Sequence, residues 1–258
     1  MLLVISPAKK LDFSPVEIEN NLSKPLFQKD ATNLANVASK LSKSELKQLM
    51  SISDKLADLN FQRFQSFKNN PTEISTKAAA FAFNGDTYIG LNIMEFSKLD
   101  LDFSQKHLRI LSGLYGLLRP LDLIKPYRLE MGSNLKNNRG HNLYQYWSDI
   151  VSNNLNLDLE KSKYNKIINL ASVEYSKVIN TKIISADIIN PQFLEEKNNT
   201  LKNVSFFSKK ARGSMARFIL KNKILNHSEI KDFNYDRYKF NPSLSSELKP
   251  VFTRKSLS

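Results

Sequence analysis

Residues 108–132 read LRILSGLYGLLRPLDLIKPYRLEMG and hold three of the seven glycines and two of the nine prolines in this chain of 258 residues. Two apolar runs, 108–111 and 117–118, flank Gly113 and Gly116, which predicts two buried segments joined by a tight turn. Glycine permits a positive φ and leaves backbone amides uncovered, so the same hairpin could present N–H groups to an anion at the surface. Both interpretations stay open.

Cations follow this hairpin closely. Arg119, Lys125 and Arg128 lie within 12 residues of Gly116, so a phosphate held at the turn would find charged partners nearby. Arg128 and Glu130 are two residues apart beside Tyr127, and alternate residues of an extended segment share one side. This group fits either an acid–base site that orients an anion or a structural ion pair that anchors the loop.

Composition excludes several kinds of chemistry. The chain has no cysteine, which removes disulfides, thiol catalysis and thiolate metal sites. Its three histidines, His107, His141 and His227, are far apart and show no metal-ligand spacing, so we predict neither a metal site nor a cofactor. No apolar run approaches the length of a membrane span, and the first residues do not resemble a signal peptide. We therefore expect a cytoplasmic protein without membrane contact, and a monomer.

Charge is unevenly distributed along the sequence. Residues 1–196 hold 24 Lys and Arg against 21 Asp and Glu, whereas residues 197–258 hold 14 against 4. A basic region in a chain of pI about 9.7 is typical of proteins that bind nucleic acid or phosphorylated metabolites. The alternative is a coding bias toward Lys, Asn and Ile that has no functional meaning.

Hydrophobic patterning predicts a mixed α/β (α+β) fold and a single compact domain over residues 1–258. Residues 26–67 have helical periodicity, with Leu34, Val37, Ala38 and Leu41 on one stripe. Ser42 and Glu45 form a capping box for a helix through Met50, and Ser53 or Asp54 caps a third helix. A helix is also predicted at 173–179, and a terminal hairpin from 235–240 and 250–253. Strands are predicted at 2–5, 78–83, 166–170, 183–189 and 204–207.

A basic segment, 208–221, follows the last of these predicted strands. On a helix, Ala211, Met215 and Ile219 share one side, and Lys210 and Arg217 lie on the other. Such a helix would pack by one face and present cations by another, although a solvated charged face explains the pattern equally well. Gly213 lowers helix propensity by roughly 1 kcal/mol relative to alanine, which indicates close approach of another backbone.

Six blocks together resemble the YaaA family of bacterial peroxide-stress proteins. They are ISPAKKLDF at 5–13, SDKLA at 53–57, FNGDTYIGL at 83–91, the segment 108–132, NLASVEY at 169–175 and KKARGSMARFI at 209–219. The resemblance implies a cytosolic oxidative-stress protein that limits damage by free iron, with an uncommon α/β topology. It also implies a helix-hairpin-helix-like element, mapped here to residues 113–116, and a basic cleft that binds duplex and branched DNA.

Two hypotheses follow. In the first, the protein binds DNA without sequence preference, and the phosphates are contacted by Gly113, Leu114, Tyr115, Gly116, Arg119, Lys125, Arg128, Lys209, Lys210, Arg212 and Arg217. In the second, polar residues converge on an enzyme pocket for a small anionic or phosphorylated substrate. The residues of that pocket are Ser6, Lys9, Asp86, Tyr127, Arg128, Glu130 and Lys209. Direct metal chelation is disfavoured by the missing cysteines and scattered histidines.

Overall fold

The computed structural model describes residues 1–67, 76–198 and 200–255. Its α-helices are α1 (Gln28–Ala38), α2 (Lys43–Met50), α3 (Asp54–Gln65), α4 (Ala79–Ala82), α5 (Asp86–Leu91), α6 (Lys98–His107), α7 (Leu143–Ser162), α8 (Val173–Ser176) and α9 (Ser205–Lys221). Its strands are β1 (Leu2–Ile5), β2 (Lys77–Ala78), β3 (Leu108–Ser112), β4 (Gly116–Leu118), β5 (Leu123–Ile124), β6 (Lys166–Leu170), β7 (Asp187–Ile189), β8 (Gln192–Lys197), β9 (Thr200–Lys202), β10 (Lys239–Phe240) and β11 (Val251–Lys255). The mixed α/β prediction is confirmed.

A five-stranded sheet in the order β4-β3-β1-β6-β7 forms the centre of the fold. Strand β1 is buried along its whole length and pairs in parallel with β3 on one side and β6 on the other. Its uninterrupted apolar run is typical of a strand covered on both faces. Because the chain leaves β1 first toward β3 and later returns to β6, the carboxyl ends of these three strands border a topological switch point, where ligands of open α/β sheets bind.

A second sheet, in the order β10-β11-β8-β9, carries the C-terminal region. The predicted terminal hairpin is present as the antiparallel pair β10–β11. Phe193, Phe233 and Phe252 pack together at its centre, with ring centroids 5.6–5.9 Å apart. Glu195 of the same sheet is buried and accepts a hydrogen bond from Arg254 Nε at 2.7 Å, so this charge is neutralised within the sheet.

The N-terminal helices confirm the capping signals. The Ser42 hydroxyl accepts from the Glu45 amide, and the Glu45 carboxylate accepts from the Ser42 amide, so the capping box starts α2 at the predicted place. Ser53 caps α3 through the amide of Leu56. Hydroxyl and carboxylate oxygens satisfy amides that have no partner inside the helix, which is why these residues mark its start.

Three predicted strands need correction. Of residues 78–83, Ala78 ends β2 and the next four residues form α4, because alanine has the highest helix propensity. Residues 205–207 form the first turn of α9 rather than a strand, and Val204 is its extended N-cap residue. The buried face of this helix, which begins at Ser208, outweighs the β propensity of the two phenylalanines. Of residues 183–189, β7 uses the last three. The helix predicted at 173–179 ends at Ser176.

Helices α5 and α9 cross with unusually close backbones. A Cβ at Gly213 would lie 1.8 Å from the carbonyl oxygen of Thr87, and a Cβ at Gly90 would lie 2.1 Å from that of Lys210. The close approach predicted from Gly213 is therefore real, and its partner is another helix of the same chain. None of the helices in residues 1–67, 76–198 and 200–255 combines the length and the apolar character that a membrane crossing needs.

Candidate functional site

A pocket of about 410 Å³ opens at the carboxyl edge of the central sheet. The loops after β1 and β6, the start of α5 and one face of α9 enclose it. We call it the basic pocket. Its polar lining consists of Ser6, Lys9, Lys10, Asn84, Asp86, Thr87, Ser172, Glu174, Tyr175, Lys209 and Arg212. Four segments that are distant in sequence thus meet at the switch point of the sheet.

Arg212 stands out among the cations of this pocket. Its side chain is partly buried, and burial lowers the pKa of the guanidinium. Within the described residues it makes neither a hydrogen bond nor an ion pair. Lys209 projects from the preceding turn of α9 and is exposed, as are Lys9 and Lys10. The arrangement therefore concentrates four positive charges around one cavity, and the most buried of them has no counter-ion in the part of the chain that the structure describes.

Hydrogen bonds fix the two strand-end loops relative to each other. Ser6 Oγ accepts from the backbone amide of Ser172 at 2.8 Å, and the two hydroxyls lie 3.3 Å apart. Tyr88 donates its hydroxyl to the carbonyl oxygen of Ser6 at 3.2 Å. Burial raises the pKa of Tyr88 well above its ordinary value, so this hydroxyl remains a donor at neutral pH. Ser6 and Ser172 are therefore held in place by the fold.

A narrow crevice of about 10 Å³ adjoins the basic pocket and shares Lys9 and Tyr175 with it. Tyr127, Arg128 and Glu130 form its other polar walls. Glu130 Oε1 lies 3.1 Å from Arg128 Nε and 3.4 Å from Lys9 Nζ. We call this volume the Glu130 crevice.

The tyrosines of the crevice are not poised to lose protons. The Tyr127 hydroxyl lies 2.6 Å from Ser112 Oγ, and both atoms are buried. Burial raises the pKa of Tyr127, and it raises that of Tyr175 well above the ordinary range, with neighbouring tyrosines contributing. Both side chains remain neutral at physiological pH. The side chain of the crevice that can accept a further hydrogen bond is therefore the carboxylate of Glu130.

The structure thus brings most of the proposed anion-pocket residues together. Ser6, Lys9, Asp86 and Lys209 line the basic pocket, joined by Arg212 from the proposed DNA set. The Tyr127, Arg128 and Glu130 group lies beside it in the Glu130 crevice. Sequence analysis did not select Lys10, Ser172, Glu174 or Tyr175, although NLASVEY directly follows the predicted strand 166–170 and polar residues at a parallel strand's carboxyl end are the expected signal.

The glycine hairpin requires a correction. Gly113, Leu114, Tyr115 and Gly116 join two strands rather than two helices, and all four are buried. Gly116 has a φ of 69°, and the Trp147 ring lies 2.6 Å from the position of a Cβ there. Trp147 Nε1 donates to the carbonyl oxygen of Gly113, and the Tyr115 amide donates to Ser112 Oγ. The amides are therefore not presented to a phosphate at the surface. Of the two interpretations of this segment, the tight turn between two buried segments is confirmed.

Several predicted DNA-contacting cations are engaged within the protein. Arg119 pairs with buried Asp122 at 2.8 Å, and Lys210 pairs with Asp236 at 3.2 Å. Lys125 lies over the Phe67 ring at 5.4 Å from its centroid. These contacts leave less positive charge free than the sequence suggests.

Arg217 is held still more firmly. Its guanidinium donates to Glu95 at 2.6 Å and to the carbonyl oxygens of Leu91 and Asn92. Arg217 thus satisfies a carboxylate and the carbonyl oxygens at a helix end, which would otherwise be unpaired. The predicted basic face of α9 is therefore largely an internal interface. Lys209 and Arg212, which lie nearer the start of the helix, line the basic pocket instead.

The fold and the pocket define a class of protein: a mixed α/β protein with a cation-rich pocket at the carboxyl edge of its central sheet. In the described ranges, no group of three His, Cys, Asp or Glu side chains is placed to hold a metal ion. Residues 1–244 match the family model described as "Peroxide stress protein YaaA", and the chain belongs to that family.

Curated bacterial relatives span essentially the whole chain. The chain is 48% identical to a UPF0246 protein of Colwellia psychrerythraea over 255 residues, which cover 99% of each sequence. It is 47% identical to a UPF0246 protein of Idiomarina loihiensis over 254 residues, or 98% of each. It is 48% identical to a UPF0246 protein of Teredinibacter turnerae over 256 residues, or 99% of this chain and 100% of that protein.

Proposed function

We propose that this peroxide-stress protein binds a phosphate-bearing small ligand in the basic pocket. The observation that carries the proposal is Arg212, a partly buried guanidinium that lines the cavity and has no partner among the described residues. Burying a charge without a counter-ion costs free energy, and a ligand anion would offset that cost. Guanidinium is also the group best suited to a bidentate contact with phosphate oxygens.

The rest of the lining fits the same ligand class. Lys9, Lys10 and Lys209 add charge that attracts an anion, whereas Ser6 and Ser172 supply hydroxyls beside the same cavity. Asp86 and Glu174 add carboxylates to the same lining, where they suit the hydroxyl or amino groups of an organic ligand. If the protein is an enzyme, its substrate is then a small anionic or phosphorylated compound.

Isothermal titration calorimetry with inorganic phosphate and pyrophosphate tests this proposal. Arg212→Gln should weaken binding about ten- to a hundredfold, since a charge-assisted hydrogen bond contributes roughly 1.5–3 kcal/mol. Lys210→Gln is the matched control, because Lys210 lies on the same helix but pairs with Asp236 outside the pocket. Binding that is absent in the wild type, or equal in the wild type and the Arg212 variant, contradicts the proposal.

Binding of duplex or branched DNA is the second candidate. It is favoured by the excess of 14 Lys and Arg over 4 Asp and Glu in residues 197–258, and by the exposure of Lys9, Lys10 and Lys209 beside the pocket. These lysines would neutralise phosphates without reading bases. A cytoplasmic DNA binder that limits damage driven by free iron would agree with the family's role in peroxide stress.

Fluorescence anisotropy across a salt titration tests the DNA candidate. The logarithm of the binding constant should fall with the logarithm of salt concentration by roughly 0.9 per phosphate neutralised. The double variant Lys9→Glu and Lys209→Glu should weaken binding more than tenfold. Lys106→Glu with Lys161→Glu makes the same charge change at the opposite edge of the central sheet and serves as the control. Affinity that is insensitive to salt rules this candidate out.

A further inference from the structure

Glu130 has a carboxylate oxygen without a partner. The residue is 9% exposed, and its Oε2 is fully buried without a hydrogen bond in the described structure. Its other oxygen, Oε1, already contacts both Arg128 and Lys9. Leaving a buried acceptor unsatisfied is unfavourable, and native proteins do so rarely. Oε2 is therefore an acceptor that the fold holds in place without using.

The crevice that holds this oxygen adjoins the basic pocket. The Glu130 crevice has room for little more than one water molecule, and it shares a wall of Pro7, Ala8, Lys9 and Tyr175 with the larger cavity. The Lys9 side chain is 65% exposed and flexible, with a 3.4 Å ion pair as its contact to Glu130. An anion near Arg212 would attract the Lys9 ammonium, and movement of that side chain would join the two cavities.

The joined cavity would have two chemically different ends. One end is cationic because it is lined by Lys10, Lys209 and Arg212. The other end offers a hydrogen-bond acceptor, Glu130 Oε2. The volume of about 410 Å³ greatly exceeds that of a phosphate ion and lies in the range of pockets for whole small molecules. A matching ligand has a phosphate at one end and an N–H donor at the other, with Tyr175 between them.

We propose that the ligand is a nucleotide whose base carries an exocyclic amino group, and that Glu130 Oε2 accepts the hydrogen bond from that group. This inference rests on the proposed function, because the phosphate is held by the basic pocket. The same chemistry is available from a free mononucleotide or from an unpaired nucleotide of a DNA strand. Glu130 then determines specificity, whereas Arg212 supplies affinity for the anion.

The first experiment compares amino and keto nucleotides by calorimetry on the wild-type protein. AMP should bind at least tenfold more tightly than IMP, or CMP more tightly than UMP, because the keto oxygen would face a carboxylate and repel it. Oligonucleotides with an unpaired adenosine or inosine form the second arm. Discrimination in either arm supports the proposal and identifies the source of the ligand. Equal binding of the amino and keto members in both arms overturns it.

Glu130→Gln supplies a sharper test. Arg128 and Lys9 would hold the glutamine carbonyl oxygen on their side, so the amide NH₂ would take the place of Oε2 and donate rather than accept. The preference for amino nucleotides should then disappear or reverse, whereas inorganic phosphate should still bind in a way that depends on Arg212. A variant that keeps the wild-type preference contradicts the role of Glu130.

The two levels of the proposal fail in different ways. Loss of phosphate binding altogether, or its insensitivity to Arg212→Gln, counts against the basic pocket itself. Phosphate binding that depends on Arg212 but shows no base preference counts against the nucleotide assignment alone. The wild-type comparison requires no substitution, so it decides the question even if Glu130→Gln does not fold.

Discussion

The guanidinium of Arg217 lies 2.6 Å from the carboxylate of Glu95, and it also donates to the backbone at the end of α5. This contact connects α9 to the short turn that precedes α6. It engages an arginine that the sequence had assigned to a DNA-binding surface. A partly buried cation with three acceptors stabilises the fold more than an exposed one, because its removal leaves those acceptors unpaired.

Arg217→Glu should therefore lower the free energy of unfolding by about 2 kcal/mol or more, since it also sets a second carboxylate against Glu95. The melting temperature should fall by roughly 4–8 °C, as expected for a chain of this size. Lys136→Glu, in the exposed part of the loop before α7, makes the same charge change as a control and should stay within about 0.5 kcal/mol of the wild type. Urea denaturation measures both. Equal stability of the two variants would show that Arg217 is free to contact a ligand.

The crossing of α5 and α9 leads to a second prediction. Gly213→Ala should destabilise the protein by about 3 kcal/mol, even though alanine has a higher helix propensity, because the new methyl group would overlap the Thr87 carbonyl. At Gly132 a Cβ would meet the flexible Glu174 side chain at 3.1 Å, so Gly132→Ala is the matched control with a small effect. Thermal unfolding of both variants measures the difference. A stabilised Gly213→Ala protein would contradict the observed helix crossing.

The chain shows which structural features can be predicted from local sequence. Ser42 and Glu45 predict the start of α2, because capping depends on atoms only three residues apart. The helical conformation of Phe206 and Phe207, by contrast, is set by the buried face of α9 that begins at Ser208, so their β propensity is misleading. The same limit applies to the site. Lys209 and Asp86 could be selected as polar residues near element ends. The role of Arg212 is inferred from its lack of a counter-ion among the described residues, which no sequence pattern reveals.

The pairing of Arg217 with Glu95 had no sequence signal either, since 122 residues separate the two. The formal charge of a region overstates the positive charge that is available to a ligand, because some of its cations form ion pairs within the folded protein. This explains why residues 197–258 combine a strongly basic composition with cations that are bound internally at Lys210, Arg217 and Arg254.

A third prediction concerns pH. Burial lowers the pKa of His107 below its ordinary value near 6.5, despite the hydrogen bond between Nδ1 and the Met1 carbonyl oxygen at 2.9 Å. The unfolded chain then takes up a proton at a higher pH than the folded protein does. Stability should fall as the pH decreases from about 7 through 6.5, and this fall should end below the folded-state pKa.

His107→Gln should flatten this part of the stability curve, which chemical denaturation at a series of pH values measures. Each unit of separation between the two pKa values corresponds to about 1.4 kcal/mol. His141, which is exposed, provides the control, and His141→Gln should leave the curve unchanged. A curve of the same slope in the His107 variant and the wild type would assign the pH dependence to other groups.

The fourth prediction addresses whether Tyr127 moves protons or supports the hairpin. Its hydroxyl lies 2.6 Å from Ser112 Oγ, which in turn accepts from the Tyr115 amide at the turn. Because burial raises the pKa of Tyr127, the phenol does not ionise near neutral pH, and a structural role is expected. Tyr127→Phe should cost about 1 kcal/mol of stability, and Ser112→Ala a similar amount.

A double-mutant cycle separates the shared hydrogen bond from the other effects of each substitution. If the two hydroxyls stabilise each other, the double variant should lose about 1 kcal/mol less than the two single losses combined. Pyrophosphate binding to Tyr127→Phe should match the wild type within threefold, because the hydroxyl faces Ser112 rather than the basic pocket. Strict additivity would show that the hydroxyls act independently. A variant that retains full stability but loses ligand binding would instead place the Tyr127 hydroxyl in contact with the ligand.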